Sequence, residues 1–203
     1  KNVRPGTEVK VEQVSHDFIF GAHIFNFNQL GKTEYNNKYK ELYGTLFNSA
    51  TIAFYWKKFE MQPNRPRFKE EYWDTEKYWN QVEEPKEEPH WRRPASDPVV
   101  EFCESKGIRL HGHNIVWNNT KWHYPEWMFE EFCPPKEKEA ILKLGKDGIL
   151  KLTPAQIAEL APVYTSELER LFEKRMTELA QYYGGRLHSW DIVNESAVDY
   201  HGN

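Results

Sequence analysis

Ser189-Trp190-Asp191-Ile192-Val193-Asn194-Glu195-Ser196 is the stretch whose reading decides the fold. Residues 187–193 have the apolar content of a buried strand, and that strand ends in an Asn-Glu pair. In a closed barrel of parallel strands, chemistry takes place at the C-terminal ends of the strands. A carboxylate in that position makes Glu195 a candidate general acid/base. The plainer alternative is a strand-end carboxylate engaged in a surface salt bridge.

Upstream, the pattern alternates strand and helix. Residues 8–13 alternate apolar and polar, which predicts a half-buried strand. Residues 16–24 predict a second strand, with Phe18, Ile19 and Phe20 running into Gly21-Ala22-His23. Residues 34–47 carry Tyr35, Tyr39, Leu42, Tyr43, Leu46 and Phe47 at three- and four-residue spacings, an amphipathic helix. A strand follows at 49–56. Ser96 is placed to cap a helix over 97–106, with Pro98 in its first turn and Gly107 ending it. Residues 108–117 read as a strand, and 137–144 as a short helix ending near Gly145. Thr153-Pro154 opens a longer helix with a break at Pro162, and Gly184-Gly185 stops it.

This alternation predicts parallel strands with crossover helices. A doubly wound sheet shares it, but no Gly-x-Gly-x-x-Gly loop follows any strand. Four core strands, near Phe18, Ser49, Ile108 and Leu187, are half of what a (β/α)8 TIM barrel of roughly 250 residues requires. The expectation is α/β, with residues 1–203 supplying the first four β/α units of one barrel. Residues 62–94 break the pattern with five prolines, the charge run 83–88, and Tyr72, Trp73, Tyr78, Trp79 and Trp91. They read as a loop-rich aromatic insertion whose rings either pack the loop down or touch ligand.

Composition narrows the function. The 203 residues carry a formal net charge of -4, which argues against nucleic acid, since such partners need clustered Lys and Arg. Aromatics make up 15% of the chain, and many fall in polar, Pro-rich stretches such as 118–135. Flat rings there suit the apolar faces of sugars or ordinary loop packing. Two cysteines, Cys103 and Cys133, are too few for a disulfide scaffold, and a bridge between them is open. No apolar run is long enough to span a membrane and no signal peptide is visible. The abrupt start at Lys1 suggests a processed or excised N-terminus.

Four local features, taken together, point to a family. Phe20-Gly21-Ala22 ends the first core strand and Phe47-Asn48-Ser49-Ala50-Thr51 opens the second. His111-Gly112-His113-Asn114-Ile115-Val116-Trp117 forms the third, followed by Pro125-Glu126-Trp127, and Trp190-Asp191-Ile192-Val193-Asn194-Glu195 closes the fourth. From about Val9 to Ser196 the chain resembles the N-terminal half of a glycoside hydrolase family 10 barrel, the family of endo-β-1,4-xylanases. The resemblance implies a retaining mechanism with two carboxylates about 5–5.5 Å apart. Glu195 matches the acid/base and Asn194 the residue that hydrogen-bonds the sugar 2-OH. Lys57, His113, Asn118, Trp117 and Trp127 match substrate-binding positions. The nucleophilic Glu of the seventh strand has no position here, so the partner implied is the remaining half of the barrel, from the same gene or a second segment. No cofactor and no metal are implied.

The departures are specific. Where the family has T-x-E-N-x-x-K-W, this chain reads Thr51-Ile52-Ala53-Phe54-Tyr55-Trp56-Lys57-Lys58, so Ala53 and Phe54 replace a polar pair. Where the family has W-H, it reads Trp117-Asn118. Lost hydrogen-bonding groups change which sugar a site accepts. His111 and His113 share a strand face, which admits a metal reading, although no Cys or carboxylate cluster joins them in sequence. His23 serves either the site or the core. Asp199 and His201 are assigned ordinary loop roles. Trp127 either shapes the cleft or packs. A barrel that binds glycans without turnover, and a related retaining barrel of other specificity, are the alternatives to a xylanase. A polysaccharide substrate implies a secreted, periplasmic or cell-surface location.

Overall fold

The computed structural model describes residues 4–85 and 87–195. Lys86 of the charge run, Ser196, Asp199 and His201 lie outside the described residues, as does Lys1. Four strands, β1 (Gly21–His23), β2 (Ser49–Ala53), β3 (Arg109–His113) and β5 (Ser189–Trp190), form one parallel sheet in the order β1-β2-β3-β5. Between β3 and β5 in sequence lies β4 (Val116–Trp117), which pairs in parallel with β6 (Val193–Asn194) and continues the same two strand lines. Strand order follows chain order, as a barrel requires and a doubly wound sheet does not. The outer edges of β1 and β5 have no strand partner among the described residues. The structure is thus a run of β/α units from a (β/α)8 barrel.

Helices cover one face. α1 (Thr33–Leu46) follows β1, α2 (Trp56–Phe59) follows β2, and the 3-10 turn Tyr72–Asp74 and α3 (Glu76–Trp79) lie in the loop-rich stretch. After them come α4 (Ser96–Ser105), α5 (Glu126–Phe132), α6 (Pro135–Ile149), α7 (Pro154–Leu160) and α8 (Pro162–Tyr183). Ile24, Tyr43, Ile52, Val100, Leu110 and Tyr183 anchor the core between sheet and helices. The opposite, concave face presents His23, Thr51, His111, His113 and Ser189, by strand alternation and register. Gly112 is required by this packing. The Trp190 indole on the neighbouring strand lies over it, and a Cβ there would sit 2.2 Å from Cε3.

Several expectations need correction. Residues 8–13 form no strand: Val9 is 65% and Val11 86% exposed, because no sheet edge lies alongside to bury the apolar side of the alternation. The strand expected over 16–24 shrinks to Gly21–His23, and Phe18, Ile19 and Phe20 are exposed. Those residues are held instead by the Asn48 side chain, which accepts from the Phe20 N–H (2.8 Å) and donates to the Phe18 carbonyl (2.8 Å). Ser96 does not cap α4. Ala95 is the cap residue, and the Ser96 hydroxyl, fully buried, accepts from the Tyr183 hydroxyl. The helix expected to end near Gly145 does end there: the glycine adopts φ 69° and ψ 172°, outside the helical region, and a second short helical segment follows it to Ile149. Cys103 and Cys133 are both free and buried.

The loop-rich stretch is ordered by charge. Asp74, buried, receives Arg92 Nε (2.9 Å) and Arg67 Nη1, while Arg67 also donates to the Lys58 carbonyl (2.8 Å) and the Arg93 carbonyl (3.0 Å). A buried carboxylate shared by two guanidiniums is the paired arrangement that makes burial of such charges tolerable. Trp79 is fully buried and Trp73 stacks on His90 at 4.1 Å, so these rings pack the segment down.

Candidate active site

The site begins with a change of register. His111 and Gly112 pair with Ser189 and Trp190, whereas Val116 and Trp117 pair with Val193 and Asn194. Residues 113–115 therefore oppose only Asp191 and Ile192: one extra residue on the third strand line, a bulge of the kind that re-aims a strand end beside an active site. Beyond it, Trp117 lies opposite Asn194, and its indole N–H donates to the Glu195 carboxylate at 3.0 Å. Glu195 is exposed and adopts φ 53°, the left-handed region uncommon for a residue with a side chain. Backbone strain of this kind persists where surrounding structure holds it, often at functional sites.

Behind Glu195, two imidazoles converge on one carboxylate. His113 Nδ1–H donates to Asp191 Oδ2 at 2.7 Å, and His111 Nε2 lies 3.4 Å from the same oxygen. Burial pushes the Asp191 carboxyl up, but the hydrogen bonds from His113 and His111 outweigh it and hold it below the usual carboxylate range. His111 also meets the Ser189 hydroxyl at 2.9 Å. Among the described residues no group of three or more His, Cys, Asp or Glu is arranged to hold a metal ion.

In front of these groups is an aromatic wall. Tyr55 packs on His113 (5.4 Å between ring centroids), Trp117 (5.8 Å) and Phe25 (5.9 Å). Burial raises the Tyr55 phenol; the Arg93 guanidinium draws it down and the Glu195 carboxylate pushes it up, so Tyr55 lies within the field of both. A cavity of about 200 Å³ opens here, lined by Ala53, Tyr55, Trp91, Arg93, Trp117 and Trp122, among others. His23 is exposed and stacks on Phe25 at 4.7 Å, which keeps it out of the core.

Arg175 of α8 fixes the strand ends that carry the site. It is buried with no ion pair among the described residues, and it donates to the carbonyls of Ile115 (3.1 Å), Asn114 (3.1 Å) and Phe54. Its guanidinium lies 4.8 Å from the Trp56 ring. Burial lowers it to about 9, against the opposing pull of Glu60 and Glu178. The Ile115 carbonyl also accepts from His123 Nε2–H at 3.0 Å.

The structure brings together Glu195, Asn194, Trp117 and His113. Asn118, exposed, directly follows Trp117. Two other candidates lie apart. Lys57 is paired with Glu126 at 2.7 Å, and it is Lys58 that lines the cavity. Trp127 is buried in a second core with Trp56, Met128 and Leu171, and its indole donates to the Glu60 carbonyl at 2.8 Å. The sequence reading missed Tyr55, Phe25, Arg93 and the convergence on Asp191. Asp191 could have been found, since it alternates with Ser189 opposite the two histidines. Arg93 had no local signal.

The chain is 25% identical over 113 residues to endo-1,4-beta-xylanase A of Xylanibacter ruminicola, an alignment covering 56% of this chain and 23% of that one. It is 24% identical over 106 residues to endo-1,4-beta-xylanase B of Paenibacillus barcinonensis, covering 52% and 23%. The aligned part thus spans about a quarter of the length of these relatives. Among solved structures, it aligns with a GH10 endoxylanase retrieved from sugarcane soil metagenome at a TM-score of 0.47 and 21% identity, covering 89% of this chain and 36% of that one. With xylanase 10B from Thermotoga petrophila the values are 0.43, 22%, 87% and 36%. Residues 12–202 match the family described as Glycosyl hydrolase family 10. With that match extending over nearly the whole sequence, the chain belongs to glycosyl hydrolase family 10.

Proposed function

We propose that this chain supplies the acid/base half of a retaining hydrolase that cleaves a β-1,4-linked plant polysaccharide, an endo-xylanase. Residues 1–203 are one part of a single barrel, and residues 62–94 an insertion that shapes its cleft. Glu195 protonates the leaving oxygen and then deprotonates the attacking water. Asn194 hydrogen-bonds the sugar 2-OH. The Trp117 N–H holds the Glu195 carboxylate in place, and His113 and Asn118 line the sugar path. The nucleophile comes from the remaining strands of the barrel, carried by the same gene or a second segment. No helix among the described residues is long and apolar enough to cross a membrane; a polymeric substrate calls for a secreted, periplasmic or cell-surface enzyme.

The observation that carries this reading is the 3.0 Å hydrogen bond from Trp117 to Glu195, at the C-terminal ends of paired strands and beside an aromatic cavity. Ala53 and Phe54, where the family pattern has a polar pair, favour the second reading, a barrel that binds glycans without cleaving them.

The test uses the full-length protein with Glu195→Ala. On xylan, loss of the general acid should lower turnover by about 10²–10⁴-fold. An aryl xylobioside with a dinitrophenolate leaving group needs no protonation, so the variant should still form the glycosyl-enzyme and then stall. Azide should rescue it and yield a β-glycosyl azide. Absence of rescue would remove the acid/base role. A wild-type protein that binds xylo-oligosaccharides but turns over neither xylan, mannan, β-glucan nor galactan would establish the binding-only reading.

A further inference from the structure

Arg93 reaches the cavity from the end of the 62–94 segment. Its main chain is fixed by Arg67, which donates to its carbonyl at 3.0 Å. Its guanidinium carbon lies 4.9 Å from the Phe25 ring centroid and 4.9 Å from that of Trp91. Other cations nearby are closed by carboxylates: Arg67 and Arg92 by Asp74, and Lys57 by Glu126. Arg93 has no ion pair among the described residues, and neither has Lys58, which lines the same cavity. Ala53, with its short side chain, lines the same cavity as Arg93.

An arginine half-buried between aromatic rings, with no carboxylate partner among the described residues, is suited to receive a planar anion. A guanidinium and a carboxylate pair through two parallel hydrogen bonds, and the surrounding rings suit a pyranose face. Building on the glycan-hydrolase reading, we propose that this cavity recognises a sugar residue carrying a carboxylate, a uronic acid, with Arg93 as the binding residue and Lys58 as supporting charge. Arg93 shares the cavity with Tyr55 and Trp117, and Trp117 holds the Glu195 carboxylate at 3.0 Å, so the recognised sugar would lie beside the bond Glu195 protonates.

The experiment compares three ligands on the full-length protein: a xylo-oligosaccharide with a uronic acid branch, its neutral counterpart of equal length, and a linear oligogalacturonide. Wild type should prefer an acidic ligand, and the preference should shrink as salt is raised. In Arg93→Gln the ratio of acidic to neutral kcat/KM should fall about 10- to 100-fold, the range for a lost charge-assisted hydrogen-bonded pair. Arg93→Lys, which keeps the charge but not the fork, should fall between. Preference for the branched ligand locates the carboxylate on a side group, and preference for the oligogalacturonide locates it in the backbone. No acidic preference in wild type, or a ratio unchanged in both variants, overturns the proposal. If Arg93→Gln fails to fold, Arg93→Lys and the wild-type salt dependence still decide. Hydrolysis of neutral substrate without acidic preference defeats Arg93 alone. Absence of any hydrolysis defeats the hydrolase reading, and calorimetric affinities for the same ligands then test Arg93 by themselves.

Discussion

Arg175 holds the site together, and its replacement by Met tests how. The substitution keeps much of the side-chain length and removes every donor. Three carbonyls at the ends of the second and third strand lines now take its N–H groups: Phe54, Asn114 and Ile115. The Ile115 carbonyl would keep His123, leaving Phe54 and Asn114 without a donor among the described residues. Each orphaned buried carbonyl costs about 1–3 kcal/mol, and the lost contact over the Trp56 face adds about 0.5–2 kcal/mol. Relief from burying a charge offsets part of this, so Arg175→Met should destabilise by about 3–5 kcal/mol, the usual cost of breaking a buried charged contact. At about 2–4 °C per kcal/mol for a domain of this size, the melting midpoint should drop by about 6–20 °C. Scanning calorimetry reads it directly, with Arg175→Lys as the intermediate case. A drop below about 2 °C would refute the reasoning, because it would mean that water or side-chain rearrangement satisfies those carbonyls at no cost.

Two further predictions concern His123, which shares the Ile115 carbonyl with Arg175, and Gly112, which packs under Trp190. His123 is fully buried, and burial with the nearby Arg175 lowers its pKa to about 3. Between that value and the unfolded value near 6.5 the unfolded chain binds a proton that the folded one refuses, so stability rises with pH across this window and is lost on acidification. The loss should reach about 3 kcal/mol by pH 4 in denaturant titrations, and His123→Gln, which keeps a donor for Ile115, should flatten the profile. Gly112→Ala would drive a Cβ into the Trp190 ring. Overpacking of this kind costs about 1–3 kcal/mol or more, and loss of Trp190 fluorescence structure should accompany it; an unchanged melting midpoint would show the ring to be free to move.

What was legible in the sequence was local. The amphipathic repeat over 34–47 became α1, with Tyr39, Tyr43 and Phe47 packed on the core and Tyr35, Leu42 and Leu46 exposed. Thr153 caps α7 through its hydroxyl and the Gln156 side chain answers it, Pro162 opens α8, and Gly184 ends α8 at φ 50°. These signals act within a turn or two of the residues that carry them. The alternation over 8–13 is equally local but insufficient, since a half-buried strand needs a neighbour and the sequence does not say whether one is in reach. The convergence of His111 and His113 on Asp191, the bulge opposite Asp191 and Ile192, and the Arg175 contacts all join parts of the chain 60 or more residues apart. No window of sequence contains both halves of such a contact. Trp127 shows the complementary error: a motif near the site suggested a cleft residue, and the helix that carries it turns the ring into the second core.

The altered second strand also divides more finely than its sequence suggests. Ala53 and Phe54 together replace a polar pair, yet strand alternation sends them to opposite faces. Phe54 is fully buried, its N–H donates to the His113 carbonyl at 2.6 Å, and its ring packs against Trp190, Phe59 and Tyr183. It belongs to the core beneath the strands and is not among the residues that line the cavity. Ala53 does line that cavity, where Tyr55 and Arg93 now stand. The two substitutions therefore carry different consequences. Phe54 bears on stability and on how the third strand line is held. The loss at Ala53 bears on the ligand: where the family pattern has a Glu, a carboxylate has been given up on one wall, and Arg93, with no ion pair among the described residues, is presented from the neighbouring loop. Removing a negative charge beside a guanidinium lifts the repulsion that a carboxylate on the ligand would meet there, so under the proposal made for Arg93 the substitution at Ala53 and the arginine act in the same direction, and restoring the acid with Ala53→Glu should reduce any preference for acidic over neutral oligosaccharides.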